Sequence, residues 1–325
     1  MRTRDHLLAL FESSKGVYLS GEEIAGRLSI SRAAVWKAVN ALRADGYRID
    51  AVQNKGYCLS PETDILSVQG IQKYLNAYCD GLSFELLPEA GSTNTILRDK
   101  ASAGAPEGTV VMANRQTSGR GRLGRKFYSP AESGIYLSLL LRPRDLTADR
   151  AILLPAMAAV AVCETVSELS GRPAGIKWVN DVFLDGKKVC GILTEASLGM
   201  ESNLMDYVVL GVGINAYAPP DGFPEDLAAI AGAVFQEKKE DGKNALAATF
   251  LNRFMEIYRT DRDGNYVKKY RELNLALGKE ILVLSGGTEK KALALDVDDQ
   301  CRLLVRYEDG TEAALSYGEI STRML

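Results

Sequence analysis

Histidine is almost missing from this chain: its 325 residues include one, His6. A histidine-based triad in the body of the protein and a His-rich metal site are therefore excluded. The five cysteines, Cys58, Cys79, Cys163, Cys190 and Cys301, are dispersed, and none has C-x-x-C spacing. Such a set fits a reducing, cytoplasmic setting and no disulfide framework. Long apolar runs are also lacking. The longest, Ala151 to Val162, contains a proline and lies between Arg150 and Glu164. It falls short of the roughly 18 residues of a membrane span. The opening MRTRDHLLALFESSKG holds neither an extended apolar stretch nor a small-residue cleavage site, so no signal peptide is expected. There is no internal repeat and no low-complexity tract. Chemistry falls to Lys, Arg, Asn, Asp and backbone groups.

What is present is an ordinary globular balance, 46% hydrophobic and 25% charged, over a length that suggests about two or three domains. The net charge of −3 argues against wholesale coating of nucleic acid. It is uneven, however. Residues 1–60 carry nine basic and six acidic side chains, and the remainder 30 basic and 36 acidic. A mildly basic head on an acidic body points to two jobs.

The head reads as helix, helix, short turn, helix, hairpin. His6 to Ser13 carries a helical stripe of Leu7, Leu8, Leu10 and Phe11. Ser20 caps a second helix with Glu23 as its capping-box partner, and Ile24, Ala25 and Leu28 form the inner face. Ser31 caps a third helix with Ala34, Val35, Ala38, Val39 and Leu42 on one face, ended by Gly46. Strands at Tyr47–Ile49 and Gly56–Leu59 would flank a tip at 51–55. This is a winged helix-turn-helix pattern, with the third helix in the major groove. Arg32, Trp36, Lys37 and Asn40 would face DNA, with Arg43 further along. Ser31 at the helix start would take a phosphate, and Lys55 would meet the backbone at the wing tip. The alternative is a three-helix interaction module with a charged face.

Residues 60–63 read as a linker and Asp64 to Asn76 as a connecting helix. Strands follow at Phe84–Leu87, Gly108–Ala113, Gly134–Leu141, Gly175–Leu184, Val189–Ala196 and Tyr207–Asn215, with helices at Thr95–Ala103 and Ala148–Leu169. Asp185-Gly186-Lys187 makes a hairpin turn. This is an α+β mixed sheet, not a doubly wound one. Short strands from Gly278 onward, turning at Gly286-Gly287, Asp298-Asp299 and Asp309-Gly310, fit a small SH3-like β-barrel.

Gly119-x-Gly121-x-x-Gly124 matches a dinucleotide fingerprint in letters only, because Lys126-Phe127-Tyr128-Ser129-Pro130 cannot open the helix that fingerprint needs. Arg120, Arg122, Arg125 and Lys126 among these glycines suit an anion such as phosphate; a solvated loop that binds nothing is the alternative. Lys177, Asn180 and Asp181 surround Trp178 in an otherwise apolar strand, where polar groups cost free energy unless paired. Lys177 as an edge-strand gatekeeper and Asp181 as a turn former are the plain alternatives. Together with the loop, they suggest nucleotide or pyrophosphate chemistry.

These motifs together resemble the bifunctional biotin protein ligases that also act as biotin operon repressors. The resemblance spans essentially the whole chain. It rests on Ser92-Thr93-Asn94, on Gln116 with the Gly119–Arg125 loop, on Lys177-Trp178-Val179-Asn180-Asp181, on Gly211-Val212-Gly213-Ile214-Asn215, and on the C-terminal strands. It implies a winged helix at 1–62, a catalytic domain of the class II synthetase/biotin–lipoate ligase type at 63–276, and a barrel at 277–325. It also implies that biotin and ATP, with Mg²⁺, give biotinyl-5'-AMP. The biotinyl group then passes to a lysine of the biotin carboxyl carrier protein of acetyl-CoA carboxylase. The adenylate promotes homodimerisation and operator DNA binding. No membrane partner is implied.

By the same resemblance Ser92, Thr93 and Gln116 hydrogen-bond the ureido ring, while Asn94, Gly119, Arg120, Gly121, Gly191, Gly211 and Gly213 complete the biotin side. Arg122 and Lys177 are the catalytic pair: Arg122 retains the adenylate, and Lys177 bridges the carboxylate and α-phosphate. Phe127, Asn180 and Asn215 line the nucleotide side. Two departures stand out, Val179 where the family has proline and Phe127 where it often has tryptophan. Asp181 offers a carboxylate able to hold Mg²⁺, and the Mg²⁺ ligand set is otherwise unknown. A lipoate ligase, a non-enzymatic sensor, and a ligase whose head does not repress are the competing readings.

Overall fold

The computed structural model describes residues 2–143, 153–198, 205–285, 288–316 and 321–324. The chain divides into two compact units. The first comprises residues 1–75 and 237–249, and the second residues 76–236 and 250–325.

In the first unit, α1 (Thr3–Ser13), α2 (Gly21–Leu28) and α3 (Arg32–Ala44) precede a hairpin of β1 (Ile49–Val52) and β2 (Gly56–Leu59). The expected caps are present: Ser20 Oγ accepts from Glu23 N at 3.0 Å and Ser31 Oγ from Ala34 N at 3.2 Å. Between α2 and α3, Ser29 adopts a left-handed conformation, φ 54°, which sets the tight turn. Leu7, Phe11, Ile24, Val35, Val39, Leu42 and Leu59 form the shared core. This is a winged helix. Gly56 is required at the wing: its φ is +101°, and a Cβ there would lie 2.0 Å from Leu19 O.

The connecting helix expected over 64–76 is reduced to α4 (Val68–Gln72). The cause lies far along the chain. Asn244 accepts from Ser67 N (3.0 Å) and donates to Ile65 O (2.9 Å), while Asp64 accepts from Lys243 N (3.0 Å). These bonds satisfy the backbone in an extended form, so helix starts only at the Ser67 cap. Beside them sits a buried charge cluster. Lys15 Nζ lies 2.8 Å from Asp241 Oδ1, Lys73 Nζ lies 2.8 Å from Glu12 Oε2 and also pairs with Asp241, and Tyr74 donates to Asp241 at 2.9 Å. Burial and the Asp241 carboxylate raise the Tyr74 phenol to about 12.

The second unit is built on a seven-stranded sheet. Its strands are β3 (Ser83–Leu87), β4 (Thr109–Ala113), β5 (Gly134–Leu141), β6 (Ala174–Lys177), β7 (Asp181–Leu184), β8 (Lys187–Leu198) and β9 (Met205–Asn215), in the order β3-β4-β5-β9-β8-β7-β6. Only β3–β4 is parallel. The sheet is thus mixed: α5 (Thr93–Ser102) lies in the crossover between parallel β3 and β4, and the tight turns β6–β7 and β7–β8 join antiparallel strands. α5 packs on β4, β5 and β9, and α6 (Leu153–Ser170) on β6, β7 and β8. The part of the expected α6 before residue 153 lies outside the described residues. By length and composition α6 could cross a bilayer, but 61% of it is buried within the protein. A short α7 (Glu225–Ala228), α8 (Gly242–Thr260) and α9 (Asn265–Glu272) follow. The five cysteines are free and buried. Burial raises the thiols of Cys163 and Cys301 to about 12, which removes them as nucleophiles at neutral pH.

The single strand expected at Gly175–Leu184 is instead two, β6 and β7, folded into a hairpin in which Lys177 faces Asp181. Residues 178–180 form the turn, held by partners the local sequence does not reveal. Trp178 Nε1 donates to Cys301 O at 3.0 Å, and Tyr270 donates to Val179 O at 2.8 Å. The Trp178–Val179 peptide is cis.

The last residues form a five-stranded antiparallel sheet from β10 (Glu280–Ser285), β11 (Thr288–Val297), β12 (Leu303–Tyr307), β13 (Glu312–Leu315) and β14 (Ser321–Met324), in the order β13-β12-β11-β10-β14. Turns fall at Asp298-Asp299 and Asp309-Gly310 as expected. The Gly286-Gly287 turn lies outside the described residues.

Candidate functional site

Register explains why the site forms where it does. Tyr136, Gly213, Gly191, Asp181 and Lys177 are successive cross-strand partners, so they make one row across five strands on one face. The next row on that face runs Ser138, Gly211, Leu193. Glycine at 191, 211 and 213 leaves the sheet bare here, and other groups use the space. A Cβ on Gly211 would lie 2.1 Å from Asn94 Oδ1, and one on Gly213 would lie 2.5 Å from the Phe127 ring. Gly211→Ala is expected to lower the unfolding free energy by about 1–3 kcal/mol through overpacking. Urea denaturation measures this, and wild-type stability would show that Asn94 yields instead.

A small cavity of about 30 Å³ is lined by Ser92, Thr93, Asn94 and Gln116. Its polar groups are pre-ordered. Gln116 Oε1 accepts from Thr93 N (2.9 Å) and Thr93 Oγ1 (3.2 Å), and Gln116 Nε2 donates to Ser129 Oγ (3.0 Å). Ser138, fully buried, donates to Asn94 Oδ1 at 2.6 Å, and its oxygen lies 2.8 Å from the Thr93 hydroxyl.

A larger cavity of about 410 Å³ adjoins it, lined by Arg122, Lys177, Asn180 and Asn215 among others. Arg120, Phe127, Gly191 and Leu193 line both, so the Phe127 ring stands between the two spaces. Among the described residues, six cationic side chains, Arg120, Arg122, Arg125, Lys126, Lys177 and Lys188, face the larger cavity against one carboxylate, Asp181. That excess suits a polyanion. Among the described residues no three His, Cys, Asp or Glu side chains group to hold a metal ion.

The glycine/arginine loop is a tight hairpin. The Arg120 and Lys126 backbones form an isolated antiparallel β-bridge, Phe127 N donates to Gly119 O (2.9 Å), and Arg122–Gly124 is a single 3-10 turn. No α-helix starts from it before β5, so the dinucleotide fingerprint does not apply. Gly119 lines neither cavity; a Cβ there would lie 2.3 Å from Phe127 O, so this glycine shapes the loop backbone. Gly121 lines only the larger cavity. Arg122 NH1 donates to Asn180 Oδ1 at 3.3 Å, Asn180 Nδ2 to Ile192 O at 2.6 Å, and Asn215 Nδ2 to Gly232 O at 3.0 Å.

Sequence reasoning missed Lys188, Glu195 and Ser138. Lys188 pairs with Asp181 at 2.6 Å. A Cβ on Gly191 would come within 3.3 Å of its Nζ, so the ammonium, which lines the larger cavity, lies beside a residue common to both. The signal available was a second lysine three residues before Gly191.

In the winged helix, Arg32, Trp36 and Lys37 are exposed on α3, Trp36 at 58%, while Asn40 is half-buried. Ser31 is used as the cap, and Lys55 stands 5.9 Å from the Tyr18 ring centre. Arg43 turns inward to Ile49 O (2.9 and 2.6 Å), so it braces the wing.

Residues 87–215 match the Biotin/lipoate A/B protein ligase family, which sets the class. Residues 3–58 match an HTH domain, and 276–323 the Biotin protein ligase C terminal domain. The bifunctional ligase/repressor BirA of Bacillus subtilis is 33% identical over 318 residues, covering 96% of this chain and 97% of that protein. The bifunctional ligase/repressor BirA of Escherichia coli is 30% identical over 321 residues, covering 98% and 96%. Among solved structures, the biotin protein ligase from Aquifex aeolicus in complex with biotin and ATP superposes with a TM-score of 0.63 at 27% identity, covering 75% of this chain and 99% of that one. This chain belongs to the bifunctional biotin ligase/repressor family.

Proposed function

We propose that this protein condenses biotin with ATP and transfers the biotinyl group to a carrier-protein lysine, and that with the adenylate bound it represses transcription through its winged helix. The observation that carries the reading is the pair of adjoining spaces: a small polar pocket that opens, past Phe127 and Gly191, onto a cavity with six cations. An acid held in the first meets a nucleotide held in the second at their common wall.

The chemistry needs little from the protein beyond placement. The biotin carboxylate is ionised at neutral pH and attacks the α-phosphorus, while the bond to pyrophosphate breaks. Charge builds on the phosphoryl oxygens, and fixed cations stabilise it. The role the resemblance gives to Lys177, bridging the carboxylate and α-phosphate, suits Lys188 better, because its ammonium lies beside Gly191. Lys177 and Arg122 face the phosphates, and Asn180 holds Arg122. In the second step the neutral ε-amine of the acceptor lysine attacks the acyl carbon and AMP leaves. No histidine base is required. Ser92, Thr93 and Gln116 take the ureido ring, and the rest of the acid lies toward Gly211 and Gly213, where Asn94 and the Phe127 ring now fill the space. Phe127 and Asn215 serve the nucleotide.

Asp181 is the one carboxylate on the cavity wall among the described residues and is already paired, so Mg²⁺ would fit as an ion carried on the ATP phosphates. The carrier protein, operator DNA and a homodimer formed with the adenylate complete this reading. So do action in the cytoplasm, a division of roles, not of compact units, at 1–62, 63–276 and 277–325, and an SH3-like curl of the last sheet. The cationic cavity and the winged helix favour it over a lipoate ligase or a bare sensor. The test is mass gain on a carrier-domain lysine with biotin and ATP, with lipoate as the control acid. Gel retardation of operator DNA, expected to depend on biotin and ATP and to be weakened by Arg32→Ala, tests the second role. Tight biotin binding with no transfer would leave only the sensor.

A further inference from the structure

Glu195 belongs to no motif, yet it joins two parts of the site. It lies on β8 four residues beyond Gly191, on the same face as the bare glycine row. Its two oxygens have different partners. Oε2 accepts from Asn94 Nδ2 at 2.9 Å, and Oε1 lies 3.0 Å from Arg120 NH1. Arg98 NH1 stands 3.9 Å from the same Oε1.

The Asn94 end is rigid. Its Oδ1 accepts from Ser138, and its Nδ2 also donates to Leu193 O at 3.3 Å. A carboxylate can only accept, so Glu195 forces the amide nitrogen of Asn94 toward itself and the oxygen toward Ser138. Rotating that amide would set two donors and two acceptors against each other in a buried place. The Arg120 end is the glycine/arginine loop, and Arg120 lines both cavities. One carboxylate thus fastens the loop to the floor of the acid pocket.

We propose that Glu195 is a positioning residue of the ligase site, whose charge holds Arg120 and its loop against the acid pocket and so sets how long the acyl-adenylate is retained. This rests on the ligase reading above. The loop end is the weaker one, because the Arg120 side chain is 46% exposed, whereas Asn94 is 4% exposed. In Glu195→Gln the amide has one acceptor for two donors. The buried Asn94 takes it, and Arg120 then faces an N–H. The lesion therefore falls on the loop.

The test uses the full-length protein. Adenylate is formed on it from labelled biotin and ATP, then chased with excess unlabelled biotin. Glu195→Gln is expected to release label about 2- to 5-fold faster, the size of a partly exposed ion pair, with the Kd for biotin and the Tm unchanged. Arg120→Gln should also speed release, and adding Glu195→Gln to it should change nothing further. A merely structural role would move Tm and biotin affinity together and would add to Arg120→Gln. Wild-type release from Glu195→Gln, or full additivity with Arg120→Gln, overturns the proposal alone. A wild-type protein that forms no adenylate overturns the ligase reading as well.

Discussion

Lys188→Ala is expected to slow pyrophosphate release from biotin and ATP by about 10²–10³-fold, the loss that follows removal of one preorganised donor to transition-state charge. The expectation comes from position. Lys188 and Lys177 both line the larger cavity only, but the Lys188 ammonium lies beside Gly191, a residue common to the two cavities. The ammonium at the junction meets the forming bond, and the one beside it meets phosphate. Lys177→Ala should therefore raise the KM for ATP more than it lowers kcat. Lys188→Ala should lower kcat with biotin affinity little changed. Lys188→Arg should rescue poorly, since a planar fork does not replace a point charge paired to Asp181. Steady-state pyrophosphate release separates these cases. A loss under 10-fold in Lys188→Ala, with the larger kcat effect in Lys177→Ala, would reverse the two assignments.

Asp241→Ala carries the largest expected effect on stability. Its carboxylate is 2% exposed and is the common partner of Lys15 and Lys73. Removing it leaves two ammonium groups with one buried counter-charge, Glu12, and such a break costs about 3–5 kcal/mol. Burial alone would raise the Asp241 carboxyl, but hydrogen bonds from Lys15, Lys73 and Asn244 outweigh it and hold the group below the usual carboxylate value. The sign of the pH dependence follows. The contribution is complete above the unfolded-state value, near pH 4, and is lost as pH falls through the lower folded-state value. Thermal unfolding of wild type and Asp241→Asn should differ most near neutrality and converge in acid. A gap that is constant from pH 7 to pH 3 would falsify the assignment of this charge as the source.

How far the sequence reached depends on the range of the interaction involved. The winged helix was legible because Ser20, Ser31 and the apolar stripes act within one or two turns. The mixed sheet was legible from its glycine-bounded strands. The break at 178–180 was not, because Trp178 and Val179 look like strand residues. Their turn is fixed by Cys301 and Tyr270, about 90 or more positions away. The shortening of the connecting helix has the same origin in Asn244. At the site, the residue types in the Gly119–Arg125 loop and around Trp178 announced anion chemistry. Lys188 and Glu195 did not announce themselves. Their meaning comes from cross-strand register, which sets Gly191 opposite Gly213 and Asp181, and register is not written in any local window.

The first compact unit is made of two stretches of chain, residues 1–75 and 237–249, and α8 begins in one unit and ends in the other. In terms of gene architecture, the DNA-binding head is therefore not a cassette that one cut removes. Excision at residue 62 leaves Asp241 and Lys73 without Lys15 and Glu12. A lineage that gave up repression would have to rewrite the start of α8 as it shed the head, and a fusion that borrowed the head would have to bring 237–249 with it.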